Sequence, residues 1–388
     1  MNVAILGRTQ KSQMLAKIIE DGYNPWLERK FNKIPLNVVA YVSKNLNPTT
    51  IGDKAVLSVG QFAALYNKKL IDKIIFPREV YEAQNRMVFS TLRRLGVKVE
   101  DVCITQRLQD EISLTSFIEP YFSAKYLPYL EFHVADHCNL NCKACEHYSG
   151  LVKKPHFPNL QNFTRDFERL HEFIDDIYMI RILGGEPLLN PELNEYIKLS
   201  RRLYPQAQIY VVTNGILLPK MPESFFETLR RYNAAIAISF YPPLESKMPA
   251  IKHLLEEKRV MFGFTPLYRT FTIKQTLNPH DQPKEIFLQC LQATCHNLYE
   301  GKIASCFLPF TTKYFNAYYD KNLPEDGALD LYDPNLTTEK LKAHLLTPFE
   351  RCRYCTTPVE IEWSTIKNPA PITDWAIVGN REQGTGIR

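Results

Sequence analysis

The chain is 388 residues long, enough for two or three domains that each bury a core. Its apolar and aromatic content is that of an ordinary globular protein, and the formal net charge of +5 is dispersed, so no concentrated basic face marks a nucleic-acid binder. No run approaches the ~18 consecutive apolar residues of a membrane span. Only Val3 to Leu6 precede Gly7 and Arg8, too short a run for a signal-peptide core, so a cytoplasmic protein without a membrane partner is expected.

Residues 2–7 read as a buried strand ending in a glycine turn, and residues 9–20 as a helix. Pro35 to Val42 and Ile71 to Phe76 read as further strands, Tyr81 to Leu95 as a helix stopped by Gly96, and Val97 to Ile104 as a strand. This alternation predicts a small Rossmann-like parallel-sheet domain over residues 1–108. A dinucleotide fingerprint needs more glycines than Gly7-Arg-Thr-Gln-Lys-Ser supplies, so a docking or scaffold role stands beside nucleotide binding. Cys103 reads as a buried small hydrophobe. Residues 109–128, with Pro120 and Pro128 among aromatics, read as a connector.

From residue 129 the strand–helix period is regular. Leu130 to Ala135 leads into Cys138-Asn-Leu-Asn-Cys142-Lys-Ala-Cys145, and Phe163, Phe167, Leu170, Ile174 and Ile177 recur at the spacing of one helix face. Tyr178 to Leu183 runs into Gly184-Gly185-Glu186-Pro187, Pro191 to Leu203 is a helix, and Ile209 to Thr213 a strand ending in Asn214-Gly215. Pro222 to Tyr232, Ala234 to Ser239, a helix over about 245–257 and Val260 to Phe264 continue the series. Five or six such units predict a partial (β/α) barrel over residues 129–285, with the cysteine loop, the Gly-Gly-Glu-Pro turn, Asn214 and Ser239 at the C-terminal strand ends where sites lie.

Three cysteines spaced x3 then x2 on one short loop supply three thiolates to one small object, which suits a cubane iron–sulfur cluster whose fourth iron stays open. Zinc held by three thiolates and His137 or His147 is the alternative. Disulfides fit poorly, because nine cysteines is an odd count and no secretion signal precedes them. Gly184 and Gly185 permit close backbone approach, Glu186 offers a carboxylate suited to an ammonium group, and Pro187 fixes the turn. His133 and Arg181 interrupt apolar strands and either face the barrel lumen or are internally hydrogen-bonded.

A second group follows over residues 286–388. Cys290 and Cys306 flank a hairpin expected to turn at Glu300-Gly301, and Cys352-Arg-Tyr-Cys355 completes a set of four thiolates able to ligate zinc or a second cluster. Cys295 is an alternative to Cys290 as first ligand. Val359 to Trp363 reads as a last strand and Asn380 to Arg388 as a polar tail.

The Cx3Cx2C loop after a strand, with Gly-Gly-Glu-Pro ending the next apolar run, resembles the radical S-adenosylmethionine (SAM) superfamily over roughly residues 129–388. The resemblance implies that Cys138, Cys142 and Cys145 hold a [4Fe-4S] cluster and that the amino and carboxylate groups of SAM occupy its fourth iron. One electron, from a donor such as flavodoxin or ferredoxin, then cleaves SAM to a 5′-deoxyadenosyl radical that abstracts hydrogen from a substrate. It further implies that Gly184, Gly185, Glu186 and Pro187 bind the SAM amino group. Asn214 and Ser239 match positions that touch the SAM methionine or ribose, beside their ordinary readings as turn chemistry and a satisfied hydroxyl. Ala144 departs from the family, which usually has an aromatic residue there.

The C-x10-G-x4-C hairpin with a later CxxC resembles the auxiliary-cluster domain called twitch, the shorter form of SPASM, and implies one auxiliary [4Fe-4S] cluster on Cys290, Cys306, Cys352 and Cys355. The glycine spacing of that resemblance favours Cys290 over Cys295 as first ligand. The N-terminal pattern resembles the small Rossmann-like domains of bacterial sugar-modifying proteins. The expected fold class is thus α/β, a partial (β/α) barrel radical SAM core preceded by a Rossmann-like domain and followed by an auxiliary-cluster domain. The expected function is hydrogen abstraction from a small-molecule or peptide substrate, with a sugar or sugar nucleotide of polysaccharide synthesis placed before a ribosomally made peptide. A zinc-stabilised, non-catalytic binding protein is the competing class; it leaves the Gly-Gly-Glu-Pro turn unexplained.

Overall fold

The computed structural model describes residues 1–24, 29–30, 35–78, 82–105, 118–366 and 369–378. Tyr81, residues 106–117 of the connector and its approach, and the tail from Asn380 lie outside the described residues. By contacts the chain divides into two compact units, Met1–Tyr129 with His171–Met179 and Pro334–His344, and Leu130–Leu170 with Ile180–Asp333 and Leu345–Arg388. No helix among the described residues is long and apolar enough to cross a membrane.

The first unit is built on a seven-stranded sheet ordered Thr50–Ile51, Lys54–Leu57, Asn37–Val42, Asn2–Leu6, Lys73–Phe76, Val102–Thr105 and Ile118–Pro120. Its central pairs are parallel and both edge pairs antiparallel, so the expected Rossmann-like arrangement is present with short antiparallel margins. Val3, Ile5 and Cys103 share a core with Leu15, Ile18 and Ile19 of the helix Gln10–Asp21, which confirms Cys103 as a buried hydrophobe. The strand Lys54–Leu57 and the helix Val59–Asn67 were not expected from periodicity. The helix is short, but its start is marked: Ser58 Oγ accepts the Gln61 N–H at 3.1 Å and the Gln61 side chain accepts the Ser58 N–H at 2.8 Å, a reciprocal capping box.

A second sheet has eight strands, ordered Met261–Phe264, Ala234–Ile238, Gln208–Thr213, Asp176–Gly184, Tyr126–Ala135, Asn297–Tyr299, Lys302–Ala304 and Ala328–Asp330. Its first five strands in chain order lie side by side in that order and alternate with the helices Leu160–Phe173, Leu193–Leu203, Glu223–Arg231 and Met248–Glu257, the partial barrel expected from the period. Phe163 and Phe167 pack their rings 4.5 and 5.6 Å from Phe132 on the first strand. Ile174 and Ile177 are buried as expected, but the helix ends at Phe173, so both lie beyond it and Ile177 belongs to the second strand.

Beyond the fifth strand the chain leaves this pattern. Thr270–Thr276 pairs with Cys355–Glu362 and Ala376–Ile377 in a separate three-stranded sheet. Asn297–Tyr299 instead takes the open edge of the first strand, in register Glu131↔Asn297, with the Asn297 amide donating to the Glu131 carboxylate at 2.7 Å. The hairpin turns at Glu300-Gly301 as expected, both with positive φ (45° and 75°). The segment from 286 therefore begins by extending the barrel sheet. The helix Leu308–Tyr319, rich in aromatic and β-branched residues of modest helix propensity, is set by burial of Phe310 and Phe315 rather than by local preference.

Replacing Ser58 by Ala removes one half of the capping box, and chemical denaturation is expected to show a loss of about 1 kcal/mol; an unchanged midpoint would mean that the cap contributes nothing to this unit.

Candidate functional site

The C-terminal ends of the first three barrel strands are fastened to one another through backbone. Gly185 N–H donates to Ala135 C=O at 2.6 Å and Glu186 N–H to His137 C=O at 3.1 Å. A Cβ on Gly184 would lie 2.1 Å from the Ala135 oxygen and one on Gly185 2.1 Å from the His137 oxygen, and Gly184 also has φ of 146°. The two glycines thus have a reason that the sequence leaves open: the backbone they approach is the entry to the cysteine loop.

Glu186 is fully buried. Its carboxylate accepts the Leu188 N–H at 3.0 Å, the Thr213 hydroxyl at 2.6 Å and the Asn214 N–H at 2.9 Å. Burial pushes its pKa up to about 7 against the opposing effect of these three donors. The side chain thus also forms a clasp between the second and third strand ends. Asn214, held by that clasp, donates from Nδ2 to Asn139 Oδ1 at 2.7 Å and to Cys138 Sγ at 3.6 Å. Ser239 N–H continues the run of strand ends by donating to Thr213 C=O at 2.9 Å.

The cysteine loop is clamped on its other side by the end of the described chain. Lys143 N–H donates to Ser364 C=O at 2.8 Å, Ile366 N–H to Asn141 C=O at 2.8 Å, Cys142 forms a bridge with Thr365, and the Trp375 indole donates to Cys145 C=O at 3.1 Å. Cys138 Sγ also accepts the Leu140 N–H at 3.4 Å. Burial raises the pKa of all three thiols, Cys142 to about 12, and neighbouring thiols add to it at Cys138 and Cys142. The buried Trp363 indole N–H has no hydrogen-bond partner and lies beside Cys142, whose ionisation it favours. A set of mutually repelling thiols supplied with N–H donors fits a cationic metal group that takes them as thiolates. Ala144, the departure from the family pattern, is buried with φ of 50°.

Sequence reasoning missed the surroundings of this loop. Tyr241, just past the fourth strand, stacks on Trp363 with ring centroids 6.3 Å apart and meets Phe271 at 5.5 Å; burial and the Cys142 and Cys145 thiols raise its pKa. Asp136 accepts hydroxyl protons from Tyr299 at 2.6 Å and from Tyr314, and has His133 Nδ1 at 3.8 Å. Burial raises its pKa, but the hydrogen bonds and charge of His133 and the two tyrosines outweigh it and hold the group at about 2. His133 is thus buried in a polar network that includes His147, 4.8 Å away ring to ring. Arg181 is partly buried and its charge acts on His147.

Cys290, Cys306, Cys352 and Cys355 all line one cavity of about 250 Å³, and Cys295 does not. Burial raises the pKa of all four, Cys352 to about 12 and Cys355 to about 11, and neighbouring thiols add to it at Cys306, Cys352 and Cys355. The Arg351 guanidinium opposes burial at Cys355. Arg351 lines the same cavity, is 0% exposed, and leaves Nη1 without a partner. It carries no sequence signal beyond its place next to Cys352. Glu146, one residue past Cys145, also lines this cavity and accepts from Gln292 at 2.7 Å. Among the described residues, no group of three or more His, Cys, Asp and Glu side chains is gathered to hold a metal ion.

Residues 133–246 match the family model of the Radical SAM superfamily. Similar curated proteins include the GTP 3',8-cyclase of Alkaliphilus oremlandii (strain OhILAs), 31% identical over 122 residues that make up 29% of this chain and 36% of the relative. The GTP 3',8-cyclase of Sulfurovum sp. (strain NBC37-1) is 30% identical over 138 residues, 34% of this chain and 39% of the relative. The chain therefore spans less than two fifths of the length of these relatives. Similar solved structures include BtrN in complex with AdoMet and 2-DOIA, with TM-score 0.39, 14% identity and coverage of 60% of this chain and 93% of that one. Another is native anSMEcpe with bound AdoMet, with TM-score 0.29, 22% identity and coverage of 35% and 43%.

Substituting Gly185 by Ala is expected to destabilise the protein by about 1–3 kcal/mol or more and to lower iron uptake at the first cysteine group together with it. Wild-type melting and wild-type iron uptake in that variant would show that the close approach to His137 does not position the loop.

Proposed function

We propose, from the match of residues 133–246 to the Radical SAM superfamily model, that the chain is a radical SAM enzyme that generates a 5′-deoxyadenosyl radical to abstract hydrogen from a small organic substrate. The family implies a [4Fe-4S] cluster and SAM. The observation that supports the assignment most is the environment of Cys138, whose sulfur accepts N–H donors from both Leu140 and Asn214 while Trp363 offers a third, unused donor at Cys142. Bound there, the cluster and SAM supply the radical chemistry.

The chain's own residues position and enclose. Cys138, Cys142 and Cys145 are the proposed ligands. The Gly184-Gly185 backbone and the Glu186 clasp fix the strand ends that would bind the SAM methionine, with Asn214 and Ser239 on the same rim. Pro187 opens the 3-10 turn Pro187–Leu189 that Glu186 caps. The stacked Tyr241 and Trp363 exclude water on the side of the loop that faces the three-stranded sheet. A ferredoxin or flavodoxin is the proposed electron donor.

Cys290, Cys306, Cys352 and Cys355 are proposed to hold an auxiliary [4Fe-4S] cluster. Four thiols on one cavity with a buried, incompletely partnered guanidinium support this reading. For the substrate we favour a small molecule, a sugar or sugar nucleotide, over a peptide. The first unit is a parallel α/β sheet, not the small winged-helix domain through which peptide maturases recruit their precursors, and the curated relatives are named for a small-molecule substrate, GTP.

Anaerobically reconstituted protein given SAM and a low-potential reductant is expected to release 5′-deoxyadenosine, and Cys142→Ala to abolish the release; an iron-loaded protein that binds SAM but never cleaves it would defeat the proposal. For the auxiliary site, Cys290→Ala is expected to lose that cluster's iron while Cys295→Ala keeps it, and the reverse result would move the first ligand to Cys295.

A further inference from the structure

Two arginines are buried among the described residues, and they are treated in opposite ways. Arg78 has Glu119 at 3.1 Å and Asp176 at 3.0 Å, two carboxylates for one guanidinium. Arg351 has none. Its Nε donates to Thr312 Oγ1 at 3.3 Å, its Nη2 to the Tyr148 hydroxyl at 3.3 Å and to Gln275 Oε1, and its Nη1 to nothing. Every side-chain partner is neutral. A fully buried guanidinium without a counter-ion is strongly unfavourable, because it forfeits hydration and receives no opposite charge in return.

Gln275 deepens the imbalance. Its amide oxygen accepts from both Arg351 and Tyr148, which leaves its Nε2 buried and without a partner. Arg351 and Gln275 therefore each hold an unused N–H donor, and both side chains line the cavity shared with the four cysteines. A positive charge and two spare donors at one cavity ask for an anion with several acceptor atoms. A cubane carried by four thiolates is such an anion, and its negative charge grows by one unit on one-electron reduction.

Resting on the auxiliary-cluster reading above, we propose that Arg351, oriented by Gln275 and Tyr148, is the built-in counter-charge of the auxiliary cluster and raises its reduction potential. A fixed positive charge in a low-dielectric site stabilises the more negative, reduced form more than the oxidised form. Arg351 is thus a tuning residue, held in place by Gln275 and Tyr148. The sequence of charges also runs the other way: without the metal group, the guanidinium weakens the fold that holds it.

The test is a potentiometric titration of the reconstituted protein followed by electron paramagnetic resonance, with thermal melting of the metal-free protein beside it. The native protein is expected to show two one-electron transitions. Arg351→Met should move one of them to more negative potential or lose it with its iron, and leave the other in place; Arg351→Lys should restore most of the shift. Gln275→Glu, on a different strand from the cysteines, should move the same transition in the same direction, because it gives Arg351 a carboxylate that competes with the cluster. In the metal-free protein, Arg351→Met should melt no lower than wild type and Gln275→Glu higher. Both transitions staying in place in both neutralising variants at full iron content would overturn the proposal. A single transition in the native protein, with iron bound at the first cysteine group, would overturn the auxiliary-cluster reading itself and this inference with it.

Discussion

The candidate site depends on a contact between two backbones. Gly184 and Gly185 bring the end of the second barrel strand so close to residues 135–137 that no side chain beyond hydrogen fits at either position. From this contact the rest follows in sequence. Glu186 is carried into full burial, where only hydrogen-bonded partners make a carboxylate tolerable, and it finds them in Leu188, Thr213 and Asn214. Asn214 is thereby turned onto Asn139 and Cys138. A tight turn after one strand so holds a cysteine after another.

The second constraint is charge. Seven buried or partly buried thiols in two groups have ionisation opposed by burial, and five of them also by neighbouring thiols. The surroundings are made for the opposite state, with N–H donors at Cys138, an unused indole N–H beside Cys142 and a guanidinium without a carboxylate beside Cys355. Such surroundings suit the proposed iron centres bound by thiolates. The placement of Glu146 and Trp375, each tied to the first cysteine loop and lining the cavity of the second group, puts the two groups in one neighbourhood.

Much of this was legible in the sequence, because its signals are local. The strand–helix period gives the five-stranded run, Cx3Cx2C gives three thiolates on one loop, and the turn at Glu300-Gly301 is set by residue type and φ. The roles of Glu186 and of the glycine pair were not legible, because both depend on what lies opposite: the motif names the residues, but the partner is backbone from another strand. Arg351 was hidden for a stronger reason. Nothing distinguishes one arginine among 47 basic residues until burial and the absence of a carboxylate are known. Likewise Trp363 and the clamp at 364–366 come from the far end of the chain, brought to the cysteine loop by pairing across more than 200 residues. The helix Val59–Asn67 is the reverse case, since its capping signature is local but its apolar face is too short for periodicity to reveal.

The proposed function requires one chain to hold two separate iron–sulfur clusters, one on three thiolates and one on four. Iron, acid-labile sulfide and zinc per chain after anaerobic purification and reconstitution test it most directly. The account predicts about eight irons and about eight sulfides with no zinc, as two cubanes require. Zinc alone, with no iron taken up, would contradict the radical SAM assignment, and about four irons with zinc would reduce the second group to a structural site.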